Sequence, residues 1–163
     1  MRFQPGDRVV YPSQGAGVVQ EITSREVLGE TRSYLKIAFV RGDMEVLVPL
    51  EKGREVGLRP TVDPDELERL ERAVRDADLN LPQQWPPRYR AEQEILAAGD
   101  AYALAKLVGV LAKRDVEKGL AATERDVMEA AKALLASEFA LVADTDLQGA
   151  HERLDAVLRD RVP

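Results

Sequence analysis

Near residue 60 the spacing of apolar side chains changes from every second residue to every third or fourth. That change restricts the chain to a β unit followed by an α unit. Before it, Asp7-Arg8-Val9-Val10-Tyr11 reads as a strand and Pro12-Ser13-Gln14-Gly15 as a turn. Gly17 to Ile22 reads as a second strand. Val27-Leu28 and Tyr34 to Val40 flank Gly29-Glu30-Thr31-Arg32 and predict a hairpin. Arg41-Gly42-Asp43 is a tight turn, and Met44 to Val48 a returning strand that ends at Pro49. Five short strands punctuated by Gly and Pro predict a small barrel. A unit of about 60 residues barely fills a core, and closing the sheet reduces its exposed edges. Any edge left open is a place for a partner's strand to pair.

After the change, helix signals follow one another. Asp63 and Pro64 suit a helix start, and Leu67, Leu70, Val74 and Ala77 form one apolar face. Pro82 and the Pro86-Pro87 pair interrupt the chain. A helix is predicted from about Arg88 to Ala98, stopped by Gly99. The next is capped by Asp100 and runs from Ala101 towards Lys118, closed by Gly119. Thr123 with Asp126 predicts the start of a long helix to about Val142. Thr145 with Gln148 predicts a last one to about Arg159. The fold class is therefore α+β: a small β-barrel over residues 1–60, then a compact all-α domain over 64–163.

Composition narrows the function. The net charge is −6. Nine of the 23 Lys and Arg and nine of the 29 Asp and Glu lie in residues 1–63, so the whole acidic excess falls in the helical half. Tight unaided DNA binding needs many cations on phosphates, so any DNA contact should be local or assisted by a partner. With no Cys, disulfides and thiolate metal sites are excluded, which suits a reducing cytoplasm. No apolar run approaches the roughly 20 residues of a membrane span. Catalysis has little to work with. His151 is the single His, Gly15-Ala16-Gly17 lacks the Lys and following helix of a phosphate loop, and the carboxylates fall in helical or capping patterns. The reading is a non-enzyme with no catalytic residue, no metal and no cofactor.

One segment stands apart. Between Asp78 and Glu92 the acidic half has no acidic residue, and the stretch Leu79 to Arg90 holds the only Trp, Trp85, with Arg88, Tyr89 and Arg90. Pro86 and Pro87 suit a helix start, which sets Trp85 at or just before a helix N-terminus, beside cations and backbone N–H groups that favour phosphate. Apolar wedges next to cations are how minor-groove binders unstack base steps. A lone Trp in a small domain is also commonly a core anchor, and from the residues alone the two readings stand side by side.

Phe3-Gln4-Pro5-Gly6-Asp7-Arg8-Val9-Val10-Tyr11-Pro12-Ser13-Gln14-Gly15-Ala16-Gly17 resembles the opening of the CarD/CdnL family of bacterial transcription regulators. The same domain occurs in the transcription-repair coupling factor, whose helicase motor this chain lacks. Trp85 with Arg88-Tyr89-Arg90, and Arg114-Asp115 followed by Lys118-Gly119-Leu120, resemble the family's helical domain. The resemblance implies an SH3/Tudor-like barrel over residues 1–60 that adds its edge strand to the β-subunit lobe of RNA polymerase, with Arg25 and Val27 on the docking strand. Leu47 falls where some members have an Arg that contacts polymerase, so it offers apolar contact only. The resemblance also implies that Trp85 enters the minor groove of promoter DNA at the upstream edge of the transcription bubble. Arg88 and Arg90 would hold nearby phosphates, Tyr89 would join them in contacting DNA, Pro87 would replace a basic residue of some relatives, and Arg125 would sit at a basic position on a later helix. The expected protein is a monomeric cytoplasmic regulator that stabilises the open promoter complex. The alternative is a protein–protein adaptor on polymerase without direct DNA contact.

Overall fold

The computed structural model describes residues 2–76 and 78–161. Ala77, assigned by the apolar pattern to a helix face, lies outside the described residues. Five antiparallel strands come first: β1 (Arg8–Tyr11), β2 (Gly15–Val27), β3 (Glu30–Phe39), β4 (Glu45–Pro49) and β5 (Arg59–Pro60), in the spatial order β4-β3-β2-β1-β5. Phe3, Val9, Val19, Leu35, Ile37, Phe39, Val48 and Leu58 form the core inside this curved Tudor-like sheet. Alternation drives it: Leu35 and Ile37 point inward while Tyr34 and Lys36 point outward.

Three details of this half differ from the sequence expectation. Val27 does not begin a separate strand. It ends the 13-residue β2, which pairs with β3 as far as Val27 opposite Glu30, with Leu28 and Gly29 as a two-residue turn. Both turn residues have positive φ, 53° and 79°, as a tight hairpin whose twist matches its strands requires. The fifth strand is instead the short β5, which pairs with β1. Between β4 and β5 lies a helix with no counterpart in the expectation, α1 (Leu50–Glu55). Its buried Gly53 sits against Leu58 and Val48, where a Cβ would lie 3.3 Å from Leu58 Cδ2. In this way α1 bridges the seam between β4 and β5, which do not pair with each other.

The chain then enters five further helices: α2 (Leu67–Asp76), α3 (Pro87–Ala98), α4 (Ala101–Lys118), α5 (Ala122–Val142) and α6 (Leu147–Arg161). Asp63 and Glu66 close a short 3-10 turn ahead of α2, the Asp63 N–H donating to Glu66 Oε2 at 2.8 Å. Asp100 caps α4 by accepting from the Ala103 N–H, and Gly99, at φ 69°, ends α3. The expected caps of the last two helices move. Ala121 stands at the N-cap of α5 and Thr123 lies inside it. Asp146, not Thr145, accepts the Gly149 N–H at 2.7 Å at the start of α6. The helical core gathers Leu70, Val74, Leu107, Leu111, Leu135, Phe139 and Leu154 among others, and α5 runs through its middle. No helix among the described residues is long and apolar enough to cross a membrane.

The barrel and the helices are packed together along α5. The Ala16 N–H donates to Ser137 Oγ at 3.0 Å, and Arg8 Nη1 to the Leu141 carbonyl at 2.9 Å. Arg59 meets the buried Glu138 in a two-pronged pair of 2.7 and 2.9 Å. Glu138 also accepts the Val62 N–H at 2.8 Å, and Arg59 donates to the Gly99 carbonyl.

Candidate functional site

Trp85 lies at the N-terminus of α3 on an irregular segment from residue 78 to 86, and its bond to Pro86 is cis. Trp85 is 44 % exposed and lies outside the helical core cluster, which decides against the core anchor. Its orientation comes from two neighbours on the first turn of α3. The Tyr89 ring lies 4.9 Å away, tilted by 43°, and the Arg88 guanidinium carbon sits 5.2 Å from the Trp85 ring centroid. Both distances lie within the ordinary range for aromatic pairs and cation–π contact.

Arg88 is not a free cation. Its side chain is only 11 % exposed. Nε and Nη2 donate to the two oxygens of Glu124 at 2.8 and 3.2 Å, and Nη1 donates to the Gln83 carbonyl at 2.7 Å. To reach a phosphate it would have to abandon a buried carboxylate. Arg90 is exposed, and among the described residues no carboxylate pairs with its guanidinium. Arg125, on α5, forms a two-pronged pair with Asp115 at 3.0 and 3.1 Å and remains half-exposed. The helix start offers fewer donors than its position implies. Pro86 and Pro87 have no N–H, and the N–H groups of Arg88 and Arg90 already donate to the carbonyls of Gln84 and Pro86. Trp85, Arg88 and Tyr89 thus form one unit, with Arg90 close in sequence and Arg125 on a separate helix.

Two further residue groups complete the site, and of their members the sequence does not connect Glu92, Glu124 or Lys113 with Trp85. Glu92 and Glu124 lie buried under Arg88, and Arg114 approaches Glu124 from α4 at 3.7 Å. Glu124 follows Arg88 by 36 residues, so no local spacing could reveal the pair. Beside them, residues 79–83, Lys113, Arg114 and Lys118 line an open cavity of about 280 Å³ against α4.

The barrel carries a second exposed feature. β1 pairs with β2 only over Gly15–Val18, so beyond Gln20 the outer edge of β2 has no strand beside it. Arg25 and Val27 lie on this open stretch, both exposed. Arg25 faces Arg32 directly across the hairpin, and Arg32 is ion-paired with Glu30 at 3.1 Å. Leu47 lies on β4, the opposite edge, paired with Lys36. The register puts Arg25, Val27 and Leu47 on one face of the sheet, the face turned away from Leu35.

A curved antiparallel barrel bridged to a bundle of helices, with an aromatic ring presented at a helix start, defines a two-domain α+β protein of the Tudor-like type. Residues 3–62 match the CarD-like/TRCF RID domain, and residues 70–155 match the C-terminal domain of CarD. The chain belongs to the CarD family and is a CarD-like transcription factor. It is 29% identical over 140 residues to YdeB of Bacillus subtilis (strain 168), named as a candidate transcription factor, across 86% of this chain and 92% of that one.

Proposed function

We propose that the chain is a polymerase-bound transcription regulator. It docks by its barrel on the β-subunit lobe of RNA polymerase and stabilises the open promoter complex by wedging Trp85 into the minor groove at the upstream edge of the bubble. The observation that carries the reading is the Trp85 ring itself: large, flat, nearly half exposed, and oriented by Tyr89 and Arg88 rather than by the core. Arg90, with which no carboxylate among the described residues pairs, is placed to meet a phosphate beside it. Arg88 serves the ring, and Arg125 contributes charge only if its pair with Asp115 opens. On the barrel, the open edge of β2 around Arg25 and Val27 suits strand addition by a partner, with Leu47 offering apolar contact on the same face.

The energetics suit a wedge. Blocking the re-stacking of one base is worth about 1–3 kcal/mol by analogy with base–aromatic stacking. That corresponds to roughly a five- to 150-fold shift between closed and open promoter. Tethering to polymerase raises the effective DNA concentration to the order of millimolar, so an acidic protein needs no strong affinity of its own. Trp85→Ala should keep the fold and polymerase binding and shorten the open-complex half-life by a factor in that range. An unchanged half-life on a responsive promoter overturns the wedge. The pairing of both Arg88 and Arg125 favours a second reading, an adaptor on polymerase that leaves DNA untouched. That reading expects no change in Trp85 emission when promoter DNA joins the polymerase complex, whereas the wedge expects a clear one.

A further inference from the structure

Four charged side chains from three helices converge beneath Trp85. Arg88 and Glu92 come from α3, Arg114 from α4 and Glu124 from α5. Both carboxylates are buried. Glu124 accepts two hydrogen bonds from Arg88, and Arg114 Nε stands 3.7 Å from its Oε1. Glu92 Oε2 is 3.7 Å from Arg88 Nε, and no N–H of the described residues donates to either Glu92 oxygen. Burial of a carboxylate that accepts no N–H favours its protonated form.

The electrostatics agree with the geometry. Burial, together with the hydrogen bond and charge of Glu124, pushes Glu92 up to about 8. Burial acts the same way on Glu124 but is outweighed: the hydrogen bonds from Glu92 and Arg88 hold it below the usual carboxylate range. Near neutral pH, Glu92 is therefore the neutral donor and Glu124 the anion. The Arg88 fork meets one negative partner, with no competition from the other carboxylate.

We propose that Glu92, Glu124 and Arg114 are positioning residues that act through Arg88 to hold the Trp85 ring at its presented angle. Arg88 is the joint: it binds Glu124 below, the Gln83 carbonyl in the segment leading to the ring, and the ring itself. Because Trp85 lacks a core around it, a shift of Arg88 is a shift of the ring. When Glu92 ionises, a second anion beside Arg88 competes with Glu124 and repels it, and the joint loosens. The groups that face Glu92 are Glu124 from α5, Arg114 from α4 and Arg88 from its own helix; His151 lies on α6, outside the cluster. The inference rests on the wedge reading only in what the ring is held for.

Trp85 is the only Trp, so the emission of the full free chain reports on this ring alone. Titrated from pH 6 to 9, wild-type emission should change with a midpoint near 8. Glu92→Gln keeps the neutral form and should give the pH 6 spectrum throughout. Arg114→Ala removes a cation that favours ionised Glu92 and should move the midpoint upward. Glu92→Ala should shorten the open-complex half-life without loss of polymerase binding, and Glu92→Gln should restore it. Far-UV circular dichroism checks that each variant is folded. A flat wild-type titration, or a Glu92→Gln protein that titrates like wild type, overturns the proposal. If Trp85→Ala leaves the open complex unchanged while the titration behaves as described, the wedge reading fails and the positioning network stands.

Discussion

Glu92 has a consequence for stability as well as for the ring. Its carboxyl titrates near the ordinary 4.5 in the unfolded chain and near 8 in the folded one. Below the first value both states hold the proton and the full contribution is present. Between the two, the folded state holds more proton than the unfolded, so stability falls as pH rises, and it levels off above the second. Glu124 has the opposite sign: depressed in the folded state, its contribution is lost as pH falls below the ordinary range. The thermal midpoint of wild type minus that of Glu92→Gln should therefore decline between pH 5 and 8, by an amount on the order of a few kcal/mol when converted. Two parallel melting profiles across that range would show that Glu92 carries no buried proton. Arg88, one turn away, is the same kind of case. Its sequence position invites a phosphate contact, and its partners make it a joint.

The elements show which local signals decide structure and which do not. The β2–β3 hairpin extends past the barrel core, and residues 24–33 are exposed on both faces of it. Its turn holds Leu28, fully exposed at φ 53°, where a Leu is strained and an Asn is not. Leu28→Asn should stabilise the protein by about 0.5–1 kcal/mol, raising the thermal midpoint by roughly 1–4 °C. A lowered midpoint would mean that the Leu28 side chain makes a contact worth more than the strain. The two-residue turn was hidden because Gly29-Glu30-Thr31-Arg32 reads as a four-residue loop until the register with β3 is known. Asp100, Gly99 and Gly119 marked their helix ends correctly because caps act within one turn. Helix α1 escaped because Pro49 reads as the end of a strand; in fact Pro49 stands at the N-cap of α1, and Gly53 is needed where Leu58 packs against the helix. Trp85 was legible as special from its acid-free surroundings. Its mount was not, since Glu124 and Arg114 arrive from distant positions.

At the scale of the whole molecule, the open β2 edge and Trp85 are useful together only if the distance between them is fixed. A barrel docked on polymerase transmits its position to the ring through the seam along α5. Packing is close there: a Cβ on Gly15 would fall 2.5 Å from Ser137 Oγ, and one on Gly99 2.8 Å from Pro12 Cα. The seam holds the Arg59–Glu138 pair, in which Glu138 is buried and both its oxygens are satisfied by Arg59 and the Val62 N–H. Removing one member of such a pair strands the other and costs about 3–5 kcal/mol. Because both domains keep their own cores, that loss should loosen the seam before it unfolds either half. The chain has no Cys, so labels at Leu28→Cys and Arg90→Cys read the distance across the molecule without interference. Wild type so labelled should give one narrow distance distribution, and adding Glu138→Gln should broaden it. On polymerase, Glu138→Gln should still bind through the barrel but lose part of the open-complex lifetime, since a ring that wanders by a few ångströms misses a single base step. A broadened distribution with full lifetime would show that polymerase and DNA restore the geometry themselves. A narrow one would show that the apolar and backbone contacts around Ser137 and Pro12 hold the seam without the ion pair.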